Sequence, residues 1–137
     1  MLGTFLFLLI LGIAIFHNVA TAHYIYWNFR WSDMVVHFFG GLWIALTSFW
    51  VCRFWIQGGN REYTLMEIVF VTVGVAFLVG VLWEVFEFSM DIVSYSSLYV
   101  ADTISDILMD VLGSIFALYV VLKLENRTIK ENNKIEQ

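Results

Sequence analysis

The stretch from Leu65 to Phe88 reads LMEIVFVTVGVAFLVGVLWEVFEF. It is apolar but for Glu67 and Thr72 until its end, where Glu84 and Glu87 appear. A bilayer core of about 30 Å takes about 20 apolar residues of helix. This stretch has that length, and working outward three more segments qualify. They are Leu2 to Phe16 (extendable to Ala22), Asp33 to Ile56, and Thr103 to Leu124. The composition agrees: of 137 residues, 61% are hydrophobic and 14% charged, with no proline. Soluble domains are about 45–50% apolar and about 25% charged. The sequence therefore predicts an all-α fold, a polytopic transmembrane bundle of four helices. Residues 1–124 form one membrane domain, and 125–137 form a polar cytoplasmic tail that either continues the fourth helix or frays.

Charge and cysteine content exclude several functions. Seven Lys+Arg stand against twelve Asp+Glu, so no nucleic-acid partner is expected. The single cysteine, Cys52, excludes an intrachain disulfide and a Cys-rich zinc site. There is no serine-nucleophile motif and no phosphate-binding glycine loop.

The basic residues give the orientation. Arg53 and Arg61 flank the loop between the second and third spans, and Lys123, Arg127, Lys130 and Lys134 follow the fourth. With four spans these all fall on one face, opposite Arg30. The positive-inside rule makes that face, with both termini, cytoplasmic. Tyr24, Tyr26, Trp27, Phe29 and Trp31 suit the outer interfacial belt, and Phe54 and Trp55 the inner one. An alternative for the first span is a signal peptide ending at Ala20-Thr21-Ala22, although no basic residue precedes the apolar run.

The acids then collect at the outer ends. Asp33 and His37 open the second span at i, i+4. Glu84, Glu87 and Asp91 close the third at i, i+3, i+7. Asp102, Asp106 and Asp110 open the fourth at i, i+4, i+8. Each set shares one helix face. A carboxylate facing lipid costs about 2.5–3.5 kcal/mol on insertion scales, so these faces are expected to point into the bundle. Carboxylates gathered in a low-dielectric site cannot all be ionised without a counter-charge. Either some stay protonated or a cation sits among them. A carboxylate/His shell suits Mg²⁺, Mn²⁺, Fe²⁺ or Zn²⁺. Taken singly, Asp33 and Asp102 also read as helix N-caps, and His37 as a hydrogen-bonded core histidine. His17 and His23 lie near the same end, where His17 is either a further ligand or an exposed interfacial residue. Gly40-Gly41, Gly74, Gly80 and the Gly113-x-x-x-Ala117 pair permit close helix approach. Glu67 reads as an interfacial charge at the cytoplasmic mouth.

Three segments together carry a resemblance: Asp33-Met-Val-Val-His37-Phe-Phe-Gly40-Gly41, Trp83-Glu84-Val-Phe-Glu87, and Asp102-Thr103-Ile-Ser-Asp106. Over roughly Trp31 to Leu118 the chain resembles the YjdF-type family of small prokaryotic inner-membrane proteins, and more loosely VanZ-like proteins. The resemblance implies a membrane fold and no particular reaction.

Three functions remain open at this stage. In the first, a divalent cation held by His37, Glu84, Glu87 and Asp106, with Asp33 and Asp91, serves a hydrolase acting on lipid-linked or cell-envelope substrates. Asp110 or Asp102 is then the general base. In the second, the acids bind or transport a cation or protons. In the third, the protein is a non-catalytic membrane subunit whose protonated acidic cluster ties helices together. The bilayer is the expected partner, and a homo-oligomer completing the site is a further option.

Overall fold

A computed structural model describes residues 2–29, 31–56, 63–90 and 99–135; of 126–135 it describes the helix alone. Among the described residues there are helices and no strand. Helix α1 runs Leu2–Ala22, α2 is the single turn Ile25–Asn28, and α3 runs Trp31–Val51. Helices α4 (Leu65–Val69) and α5 (Val75–Ser89) are joined end to end, and α6 runs Tyr99–Ile135. Four helical segments are long and apolar enough to cross a bilayer: Leu2–Ala22, Trp31–Trp55, Leu65–Ser89 and Val100–Glu125. These match the four expected segments to within a turn. Helix α6 continues through the polar residues to Ile135.

The bundle is built on α3 and α6. Their closest approach needs residues without side chains. A Cβ on Gly41 would run into the backbone of Asp110, 2.7 Å from its Cα. A Cβ on Gly113 would run into the Phe38 carbonyl oxygen, and 2.8 Å from the Leu42 nitrogen. Small residues matter here because helices in lipid gain mainly from close van der Waals contact. Below that crossing lies the apolar core of Leu42, Ala45, Leu46, Phe49, Ile68, Ala76, Ala117 and Val121, with Leu6 from α1. Helix α1 is otherwise mostly exposed, as a lipid-facing helix should be. The Trp43 indole N–H ties it down by donating to the Leu6 carbonyl at 2.9 Å.

Three local features were not anticipated. Thr64 and Glu67 form a capping box: the Glu67 N–H donates to Thr64 Oγ1 at 3.3 Å, and the Thr64 N–H donates to Glu67 Oε2 at 2.9 Å. Glu67 is thus a helix cap as well as a charge at the interface. The Thr-Leu-Met-Glu spacing that announces such a box is present in the sequence. Second, Phe70–Gly74 winds as a π-helical turn between α4 and α5, and Cys52–Ile56 winds likewise after α3. In the first of these, the fully buried Thr72 donates its hydroxyl to the Ile68 carbonyl at 2.7 Å. Third, Arg53 and Glu125 pair at 2.7 Å, joining the far ends of the second and fourth spans. Arg61 lies outside the described residues.

Candidate metal centre

At the end opposite the Arg53–Glu125 pair, α3, α5 and α6 bring their acids together. Asp33 and His37 stand on the first turns of α3, Glu84 and Glu87 on the last turns of α5, and Asp102, Asp106 and Asp110 on the first turns of α6. Glu84, Asp106 and Asp110 are 4–5% exposed and His37 8%. Asp33, Glu87 and Asp102 are half-buried. Val85, Phe88, Ile104 and Leu108, on the other faces of α5 and α6, are exposed. The acidic faces therefore turn inward and the apolar faces outward, as the insertion cost of a carboxylate requires. Neither Asp33 nor Asp102 is an N-cap; each lies inside the first turn of its helix. Asp91 and Arg30 lie outside the described residues.

Three of these side chains form a tight group. One oxygen of Asp33, one ring nitrogen of His37 and one oxygen of Asp106 lie within 4.8 Å of one another. Two unit negative charges at that separation repel by about 3 kcal/mol at an effective dielectric of about 20. His37 is the hub, with Asp110, Asp106 and Asp33 all acting on it electrostatically. Its Nδ1 is hydrogen-bonded to Asp110 Oδ2 at 3.3 Å. Glu84 faces His37, Asp110 and Asp33, yet its buried Oε1 has no hydrogen-bond partner. The Thr103 hydroxyl is likewise buried; it interacts with the Glu84 carboxyl but makes no well-formed hydrogen bond. Such orphaned atoms are uncommon in native interiors and call for an explanation, an ion among them. At the edge, the Trp83 indole N–H donates to Glu87 Oε1 at 2.9 Å.

Tyr26 stands at the edge of the cluster. After α1 the chain turns at Tyr24, whose φ of 57° is left-handed, and α2 follows with Tyr26 near enough to Asp33 and Glu87 to feel their charge. The Tyr26 hydroxyl and His17 Nδ1 are hydrogen-bonded at 3.0 Å. Burial, and then the carboxylates of Asp33 and Glu87, push the Tyr26 phenol up to about 12, so it stays protonated as a donor. His17 remains exposed, as one of its two expected placements had it. Below α2, the buried Ser32 hydroxyl donates to the Phe29 carbonyl at 2.6 Å and fixes the start of α3, one residue before Asp33.

The sequence placed the acids on these faces but gave Thr103 only as part of the resemblance motif and Tyr26 only as a belt aromatic, neither as a site residue. Thr103 was findable, since it stands at i, i+3, i+7 with Asp106 and Asp110. Tyr26 was not, because its position depends on how α2 folds back.

Together these features define a class: a small helical protein with four bilayer-length segments and an inward-facing acid/histidine cluster at one end. The family model described as Predicted membrane protein (DUF2238) matches residues 1–127, and the chain belongs to that family. This is consistent with the YjdF-type resemblance and extends past Trp31 to include α1. No curated protein and no solved structure matches the chain.

Proposed function

We propose that this protein holds a divalent cation at the outer end of its bundle, with Asp33, His37 and Asp106 as ligands and Glu84 as a fourth. The reading rests above all on the convergence of three ligand atoms from α3 and α6 within 4.8 Å, near a buried Glu84 whose Oε1 makes no well-formed hydrogen bond. Imidazole with carboxylates suits Zn²⁺, Mn²⁺ or Fe²⁺ better than Ca²⁺, which prefers oxygen throughout. The clustering of Lys and Arg at the other end makes the acidic end extracytoplasmic by the positive-inside rule.

The activity that fits such a site best is hydrolysis of a lipid-linked or cell-envelope substrate. A bound cation would polarise the substrate oxygen and acidify water. Asp102, half-buried, is our candidate general base, and Tyr26 offers a protonated donor near Asp33 and Glu87. Transport fits less well. Beneath the acids the core is apolar, and the buried hydroxyls of Thr72 and Ser114 are turned back onto the carbonyls of Ile68 and Val111.

Elemental analysis of protein purified in detergent and loaded with Zn²⁺ or Mn²⁺ tests the site. Stoichiometric metal is expected in the wild type, with loss in folded Asp106→Asn and His37→Gln. Metal-free wild type after loading would leave a purely structural acid cluster.

A further inference from the structure

The seat of Asp110 has a consequence for the cation site just proposed, on which it rests. Asp110 stands where α3, α5 and α6 meet, and glycine surrounds it. A Cβ on Gly80 of α5 would lie 2.5 Å from Asp110 Oδ2 and 3.2 Å from its Cγ. A Cβ on Gly41 of α3 would overlap the Asp110 backbone, and one on Gly40 would touch Oδ1 at 3.9 Å. The carboxylate is thus held from two helices, 5% exposed, with Oδ2 on His37 Nδ1 at 3.3 Å. With Asp110 ionised beside a cation, its oxygens only accept, so Nδ1 carries the hydrogen. An imidazole whose Nδ1–H is engaged has one lone pair left for a cation, on Nε2.

We propose that Asp110 is a positioning residue: it fixes the His37 ring and tautomer so that Nε2 meets the cation, and Gly41 and Gly80 leave the room in which it is seated. This replaces the general-base role that the sequence suggested for Asp110. An oxygen already committed to an imidazole and walled in by glycine is poorly placed to take a proton from water. It also accounts for Gly80, a small-residue position that the α3–α6 crossing does not require.

The test uses the full chain carrying His17→Gln and His23→Gln, so that His37 is the only histidine. It is labelled with ¹⁵N-histidine in detergent and titrated with Zn²⁺. The zinc-induced shift is expected on Nε2, with Nδ1 still bearing its proton. Asp110→Ala should weaken zinc binding about 10–100-fold, the usual effect of removing such an outer partner. Asp110→Asn, whose carboxamide oxygen still accepts from Nδ1–H, should restore affinity to the wild-type order of magnitude and keep zinc on Nε2. Zinc on Nδ1, or equal affinity in folded Asp110→Ala, overturns the positioning role and leaves the cation site standing. No zinc-dependent shift in the folded parent chain overturns both.

Discussion

Replacing Gly80 by Ala separates the stability of the bundle from the geometry of its site. The new methyl would sit 2.5 Å from Asp110 Oδ2, 3.2 Å from Cγ and 3.4 Å from Cβ. Only the tip of the side chain is in severe conflict, and Oδ2 must give way by roughly 1 Å to reach ordinary contact distance. The Asp110 backbone cannot retreat, because Gly41 already lies against it. The carboxylate must rotate instead, which swings Oδ2 off His37 Nδ1. Losing that charge-assisted bond costs about 1.5–3 kcal/mol. Alanine in place of glycine within a helix returns about 0.8–1 kcal/mol. The net loss of stability is therefore about 1–2 kcal/mol, and the bundle should still fold. Cation affinity should fall about 10–100-fold, since the histidine has lost its orienting partner. Gly12→Ala is the control, with nothing within 4 Å of its new methyl. Thermal unfolding followed by tryptophan fluorescence, paired with calorimetric zinc titration in the same detergent, reads both quantities. Folded Gly80→Ala with wild-type zinc affinity would refute the argument that Asp110 acts through its seat.

Gly113→Ala should also destabilise, but through the bundle rather than the site, because its methyl meets the Phe38 backbone rather than a movable tip; overpacking of this kind costs about 1–3 kcal/mol, visible as a lower unfolding temperature. Glu67→Ala should lose about 1 kcal/mol with the capping box, whereas Glu67→Gln, which fits the same box, should stay close to wild type in the same melt. A double-mutant cycle on Arg53 and Glu125, both side chains below 20% exposed, should give a coupling energy of about 1 kcal/mol that shrinks as salt is added; zero coupling at low salt would make the pair incidental. Saturating Zn²⁺ at about 100 times its Kd should stabilise the wild type by about 2.7 kcal/mol, reversibly with chelator, and should leave Asp106→Asn unmoved.

The fold was largely legible because the bilayer imposes a length and a polarity on every segment that crosses it. Leu65 to Phe88 declares itself with no tertiary information, and so do the other three segments. The capping box at Thr64–Glu67 was equally legible, being a matter of residues three apart. The π-helical turns were not. They depend on how Thr72 and its neighbours pack, and no spacing in the sequence records that.

For the site, helical periodicity alone determined that Asp33 and His37 share a face, that Glu84 and Glu87 do, and that Asp102, Asp106 and Asp110 do. The cost of a carboxylate in hydrocarbon then turned those faces inward. Only the tertiary structure decided which members meet. It joined Asp33, His37 and Asp106 across α3 and α6, left Glu84 with an unsatisfied oxygen, committed Asp110 to His37, and brought Tyr26 near Asp33 and Glu87. The physical reason is that periodicity fixes directions around one helix axis, whereas distances between helices depend on how closely their backbones approach. Here that approach is set at Gly41, Gly80 and Gly113, by side chains that are absent.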